Sequence, residues 1–195
     1  MARILWLADS LRSAGLTVRE TNGWETRERP ASTGGFAPEG VLLHHTAAYA
    51  TADNPHPSLN TVIEGRGGAD PLPGPLCHVL IDRNSVCWVI AAGRANHAGA
   101  AVASGPMPAG DGNEMYVGIE VEYAATNHSP TQYATSSQKS TAIVAAARIV
   151  SRLGHGYRYV RAHKETSTTG KIDPYNWNMT DVRDSVRQCL ERTGW

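Results

Sequence analysis

GVLLHHTAAYA, residues 40–50, is an apolar run that ends in two adjacent histidines. A short apolar run bounded by glycine reads as a buried strand of an α/β sheet. Neighbouring residues on a strand point to opposite faces. His44 and His45 therefore cannot serve one centre unless the chain turns between them, and the elements around the strand decide which of the two meets partners.

Upstream, Ile4, Leu5, Leu7, Ala8, Leu11 and Ala14 recur at helical spacing, with Gly15 placed as a C-cap. Residues 16–20 read as a short strand and 22–39 as a polar, Gly/Pro-containing loop. Downstream, 50–57 is a loop, and 58–66 reads as a short helix with Ser58 as its N-cap. The cluster GGADPLPGP at 67–75 breaks structure. Residues 76–90 read as a hairpin turning at Arg83, Asn84 and Ser85. The Gly/Ala-rich stretch 91–114 reads as a loop, of a length usually tied to function or mobility.

Residues 116–124 alternate and read as a strand. Residues 129–154 read as a long helix, opening at Ser129 and Pro130 and closing at Gly154, with Ile143, Ala146, Ala147, Val150 and Leu153 on its apolar face. Residues 157–163 read as a strand or extended segment, 166–178 as a loop, and 180–192 as a terminal helix capped by Thr180. Strands interleaved with helices predict an α/β fold on a mixed central β-sheet. No linker separates two cores, so residues 1–195 are expected to form a single domain.

Composition narrows the function classes. Eighteen Lys and Arg balance eighteen Asp and Glu, which leaves no bulk attraction to nucleic acid or to an anionic membrane. Five Trp and seven Tyr against one Phe favour aromatic rings with a polar edge, which suit a half-wet groove as well as a core rim. Cys77, Cys87 and Cys189 give neither a disulfide framework nor a CxxC metal signature and read as small buried hydrophobes. Asp9 and Arg12 interrupt the apolar start, so neither a signal peptide nor a membrane span is expected there.

A catalytic zinc site draws three ligands from His, Cys, Asp and Glu and leaves one position open. Two of the eight histidines, His44 and His163, end strand-like runs, and the carboxyl ends of strands are where side chains converge on a crevice in α/β sheets. Asp173 follows His163 by ten residues across a Thr/Gly-rich loop that can fold back to the same point. On spacing alone this trio competes with a plainer reading, in which such residues are hydrogen-bonded loop anchors.

The segments VLLHHTA, CHVLIDRNS, RANHAG, VGIEVE and RAHKETSTTGKIDP occur in that order. Together they resemble the type 2 N-acetylmuramoyl-L-alanine amidases, the family that also contains the peptidoglycan recognition proteins and many phage lysins. The resemblance spans residues 38–178 and is most similar to actinobacterial phage endolysins. It implies the amidase type 2 fold, a mixed sheet flanked by helices on both sides. It implies a Zn2+ cofactor on His44, His163 and Asp173, and peptidoglycan as the partner. It also implies Glu120 of GIE as the base and Lys171 as a cation for developing charge. Glu122 lies on the same face of an ideal strand and is a rival by geometry, with a solvated strand carboxylate as the favoured reading for it.

In one branch of the family a Tyr stands at the position of Cys77, and its absence here favours Glu120. His97 matches a position near the substrate groove, with Asn96 where Trp is common. His78 is expected to be structural or to support the site residues from behind, and His56, His128 and His155 to take no catalytic part. The expected activity is hydrolysis of the amide between N-acetylmuramic acid and L-alanine by a monomeric enzyme. An endolysin of this kind would be made in the host cytoplasm and act on the wall after release. A non-catalytic binding module and a cytoplasmic muropeptide-recycling amidase are the alternatives.

Overall fold

The computed structural model describes residues 3–129 and 131–195, so the expected helix start at Pro130 lies outside the described residues. The helices are α1 (Leu7–Ser13), α2 (Leu59–Glu64), α3 (Gly112–Met115), α4 (Ser136–Arg152), α5 (His163–Thr166) and α6 (Met179–Thr193). The strands are β1 (Val18–Glu20), β2 (Gly40–His45), β3 (Gly65–Arg66), β4 (Leu72–Pro73), β5 (Val79–Ile81), β6 (Cys87–Val89), β7 (Ala100–Ala101), β8 (Gly110–Asp111), β9 (Tyr116–Val121) and β10 (Val160–Ala162). Six of the strands form the main sheet in the order β1-β6-β5-β9-β2-β10. Only β5 and β6 pair antiparallel, so the sheet is mixed as expected.

Period-2 alternation divides the sheet residues between two faces. Val41, Leu43, Val79, Ile81, Val117, Ile119, Val121, Val160 and Ala162 join the main core, to which α1, α4 and α6 contribute. Leu42 and Tyr116 pack with Met107 on the opposite face, and Leu80 packs there with Val62 of α2 and with Cys77. Helices therefore cover both faces. The second face is covered thinly, by α2 and the segment around α3, and there a groove remains.

Several local expectations shift for identifiable reasons. Helix α4 begins at Ser136, because Thr135 and Gln138 form a reciprocal capping box at 3.0 Å in each direction. Its buried face is Ala142, Ala145, Ala146, Ala147, Ile149 and Val150, while Ile143 and Leu153 lie at its edge. Gln132, ahead of the helix, instead pins Ala50 through two hydrogen bonds. The cap of α6 is Asn178 rather than Thr180, whose own backbone N–H donates to Asn178. Ser58 precedes α2 without capping it, since its hydroxyl donates to Glu122 at 2.7 Å.

The segment 91–114 is not one open loop. It contains β7, β8 and α3, the last capped by the Asp111 carboxylate accepting from Asn113 N–H. Strand β9 stops at Val121, β10 is preceded by a 3-10 turn over Tyr157–Tyr159, and His163 opens a helical turn. The hairpin turns where expected. The Asp82 carboxylate accepts from the backbone N–H of Asn84 and Val86 and from Trp88 Nε1, and Ser85 takes a positive φ. All three cysteines are buried and free. Among the described residues no helix is long and apolar enough to cross a membrane.

Candidate functional site

Strands β9, β2 and β10 are adjacent and parallel, so their carboxyl ends open at one edge. The chain runs from β2 to β9 on one side and returns through α4 to β10 on the other, which makes β2 the point where the winding reverses. Such a point is where a crevice forms in an open sheet. His44 lies near the end of β2, Glu120 near the end of β9, and His163 just beyond β10. Even-numbered positions of β2 and β9 face the groove, which puts His44, Glu120 and Glu122 on one side. His45 points to the other, where its ring stacks on Tyr123 at 4.4 Å and its Nδ1 accepts from Tyr175 N–H.

His163 is held by its helical turn. The Glu165 carboxylate accepts the Ala162 backbone N–H at 3.0 Å and is itself gripped by Arg161 and Arg183. Asp173 arrives on the following loop, which Lys164 ties down. The Lys164 backbone N–H donates to Asp173 O at 2.8 Å, and its ammonium donates to the carbonyls of Pro174 and Trp177. Asp173 Oδ2 then lies 3.0 Å from His44 Nδ1 and 3.1 Å from His163 Nδ1. One donor atom from each of the three residues lies within 4.8 Å of the others. All three expected ligands are thus brought together, 129 residues apart at the extremes.

Charge and burial act strongly here. Burial raises the Asp173 carboxyl, but the hydrogen-bonding positions of His163 and His44 outweigh it and hold the group well below the usual carboxylate range. Burial pushes the His44 imidazole down, against the pull of Asp173. Glu120 lines the groove, and its Oε2 is buried with no hydrogen-bond partner among the described residues. Burial raises its carboxyl well above the usual value, the charges of Asp173 and Glu122 add to this, and Lys171 opposes it. Lys171 is exposed on the groove wall.

Glu122 separates from Glu120 by its partners. It is fully buried, and its carboxylate accepts from the Thr46 hydroxyl at 2.6 Å and from both Ser58 Oγ and N–H. It is a cross-link between β9, the end of β2 and α2, and neither a solvated carboxylate nor a free one. Cys77 is sealed under Leu80 and Ile90, with its thiol pushed up by burial. His78 accepts the Gly118 N–H at 2.9 Å, stacks on Phe36 and meets the His97 ring edge-on.

The groove has a volume of about 640 Å3. His44, His163, Asp173, Glu120 and Lys171 all line it, with Val62, Arg66 and Leu72 on the far wall. A family model described as N-acetylmuramoyl-L-alanine amidase matches residues 34–176. The chain belongs to this amidase family.

Solved members share the fold at low identity. The selenomethionine derivative of AmpD superposes with a TM-score of 0.58 at 16% identity, over 87% of this chain and 93% of that one. The endolysin N-acetylmuramoyl-L-alanine amidase LysCS from Clostridium intestinale gives 0.54 at 16%, over 87% and 95%. AmpDh3 from Pseudomonas aeruginosa, solved in complex with an anhydromuramic pentapeptide, gives 0.55 at 19%, over 90% and 74%. No curated protein sequence matches the chain significantly.

One residue beside the three candidate ligands was not readable as such. His97, expected only to lie near the groove, has its Nδ1 3.0 Å from His44 Nε2. The pairing is 53 residues apart, with α2 and β3 to β6 between the two in the chain. The single local hint is Gly118 in VGIE, where a Cβ would stand 2.7 Å from His97 Nδ1.

Proposed function

We propose that the chain is a zinc-dependent peptidoglycan amidase that cuts the amide between the lactyl group of N-acetylmuramic acid and the first L-alanine of the stem peptide. The observation that carries this reading is the convergence of His44, His163 and Asp173 in one groove with an unpartnered buried carboxylate oxygen of Glu120. The donor set suits zinc, for which two imidazoles and one carboxylate with a fourth position open is a hydrolytic arrangement. Ligand atoms about 2.0–2.1 Å from a tetrahedral zinc stand about 3.3 Å apart. The separations of Asp173 Oδ2 from the two Nδ1 atoms, 3.0 and 3.1 Å, are close to that spacing.

Zinc bound there would polarise the scissile carbonyl and acidify a water molecule. The chain's own groups do the rest. Glu120, with its proton affinity raised by burial, takes the proton of the attacking water and returns it to the leaving amine of L-alanine. Lys171 places a positive charge beside the tetrahedral oxygen as it becomes anionic. Asp173, ionised, would offer its carboxylate as the third donor beside the two imidazoles. All of these groups lie in one chain, which fits the reading of a monomeric enzyme.

We read the biological role as that of an endolysin released onto the wall, a reading supported by the likeness to LysCS. A non-catalytic binding module is disfavoured by the complete ligand set and the free Glu120 oxygen. The test is mass spectrometry of digests of intact sacculi and of soluble anhydro-muropeptides. New L-alanine N-termini on an intact glycan are expected from sacculi. Cleavage of the soluble fragments alone would favour the recycling role, and binding without cleavage would favour the module.

A further inference from the structure

His44 offers two ring nitrogens, and both have a neighbour at 3.0 Å: Nδ1 faces Asp173 Oδ2 and Nε2 faces His97 Nδ1. Which nitrogen carries the proton follows from the far end of the chain of contacts. His97 Nε2 lies 3.3 Å from the backbone carbonyl of Tyr116. A carbonyl oxygen only accepts, so His97 Nε2 must hold a hydrogen. A neutral His97 then has a lone pair on Nδ1 and can only accept there. The nitrogen opposite, His44 Nε2, must be the donor, which leaves His44 Nδ1 as a lone pair directed at Asp173 Oδ2.

Two acceptors 3.0 Å apart repel unless a proton or a cation lies between them. The relay thus aims a lone pair of His44 at the one place where the other ligands also converge.

We propose that His97 is a positioning residue for the metal centre: by accepting the His44 Nε2–H and donating to Tyr116 O, it fixes His44 in the tautomer that ligates through Nδ1. The inference rests on the zinc reading above. The surroundings hold His97 for this task. Asn113 Oδ1 accepts both the His97 and the Ala98 backbone N–H at 2.7 Å. Asn113 itself sits in the α3 turn capped by Asp111, and Asp111 is paired with the buried Arg94. Gly118 lets the ring lie flat on β9, since any side chain would meet it. A ligating imidazole whose other N–H is hydrogen-bonded keeps its orientation and gains basicity, and loss of such a partner typically lowers metal affinity about 10- to 100-fold.

The test has two parts. Long-range 1H–15N correlation of the zinc-free and zinc-loaded protein reports which imidazole nitrogen is protonated. Both His97 and His44 are expected to carry hydrogen on Nε2, with His44 Nδ1 becoming the metal-bound nitrogen on loading. A protonated His97 Nδ1, or a His44 that binds through Nε2, would overturn the proposal, and this measurement needs no variant.

In the second part, zinc affinity is measured by chelator competition. H97F keeps an aromatic ring over Gly118 but has no acceptor, and about a 10- to 100-fold weaker Kd is expected. H97Q, whose amide oxygen can accept, should recover part of the loss. Equal affinity in H97F and wild type would refute the relay. A wild-type protein that binds no zinc would instead refute the metal reading, while the zinc-free spectrum still decides the tautomers.

Discussion

His44 and Glu120 stand opposite each other in register on the parallel strands β2 and β9. Their side chains share one face of the sheet, so the proposed metal ligand and the proposed base are set by the same ladder of backbone hydrogen bonds. This spacing cannot drift without breaking the strand pair. Glu120→Gln keeps the shape and removes the basicity, so turnover on purified peptidoglycan should fall about 10²- to 10⁴-fold. Zinc content, read by metal analysis, should stay at the wild-type value. Retained turnover would reassign the base.

The two histidines of the opening run should part in their behaviour. His44→Ala removes a metal donor and is expected to abolish stoichiometric zinc binding. His45→Ala leaves the three donors in place but empties a site stacked on Tyr123, and should lower stability by about 1–3 kcal/mol while zinc still binds. Metal analysis with thermal unfolding of both variants reads the difference.

Lys171 opposes the upward push that burial and the carboxylates exert on Glu120. A Glu120 that serves as the proposed base works ionised, so activity should decline as pH falls through its pKa. Without the cation that pKa rises, and the acid limb of the kcat/KM profile of Lys171→Ala should move to higher pH. It should also show a loss across the whole range, because the cation no longer meets the developing oxyanion. An acid limb that stays in place would separate Lys171 from Glu120.

Burial holds His78 down at about 3 from the usual 6.5. Below about pH 6.5 the unfolded chain takes up a proton that the folded chain refuses. Stability is therefore full above that pH and falls as pH drops toward 3, by about 1.4 kcal/mol per pH unit at the steepest. Denaturant unfolding of the zinc-free protein between pH 7 and 4.5 should show this slope, flattened in His78→Gln. A wild-type profile that is flat over the range would mean that His78 titrates normally.

Much of this was legible from local pattern. The run at 40–45 is a strand with those bounds, and its alternation already separated His44 from His45. His163 and Asp173 stood out by their place at a strand end and after a loop. What could not be read was decided by partners far away in the chain. Ser58 looked like a cap because nothing nearby competes for its hydroxyl, yet Glu122, 64 residues on, takes it. Glu122 looked like a twin of Glu120 because period 2 fixes the face and not the environment. His97 stood out only through RANHAG as a residue near the groove, and its contact with His44 is one that only the folded sheet creates. The start of α4 was misplaced for a local reason: the Thr135–Gln138 box outcompetes a Ser-Pro signal upstream.

Glu122 has a further consequence for remodelling the enzyme. Through Ser58 it fastens α2, and behind α2 follow the β3–β4 hairpin and the wall residues Arg66 and Leu72. None of the three donor atoms comes from that wall. The wall residues Arg66 and Leu72 can therefore be varied to alter the size or charge that the groove accepts, provided that Ser58 and Glu122 keep their bond and Val62 and Leu76 keep their packing on Leu80 and Ile90.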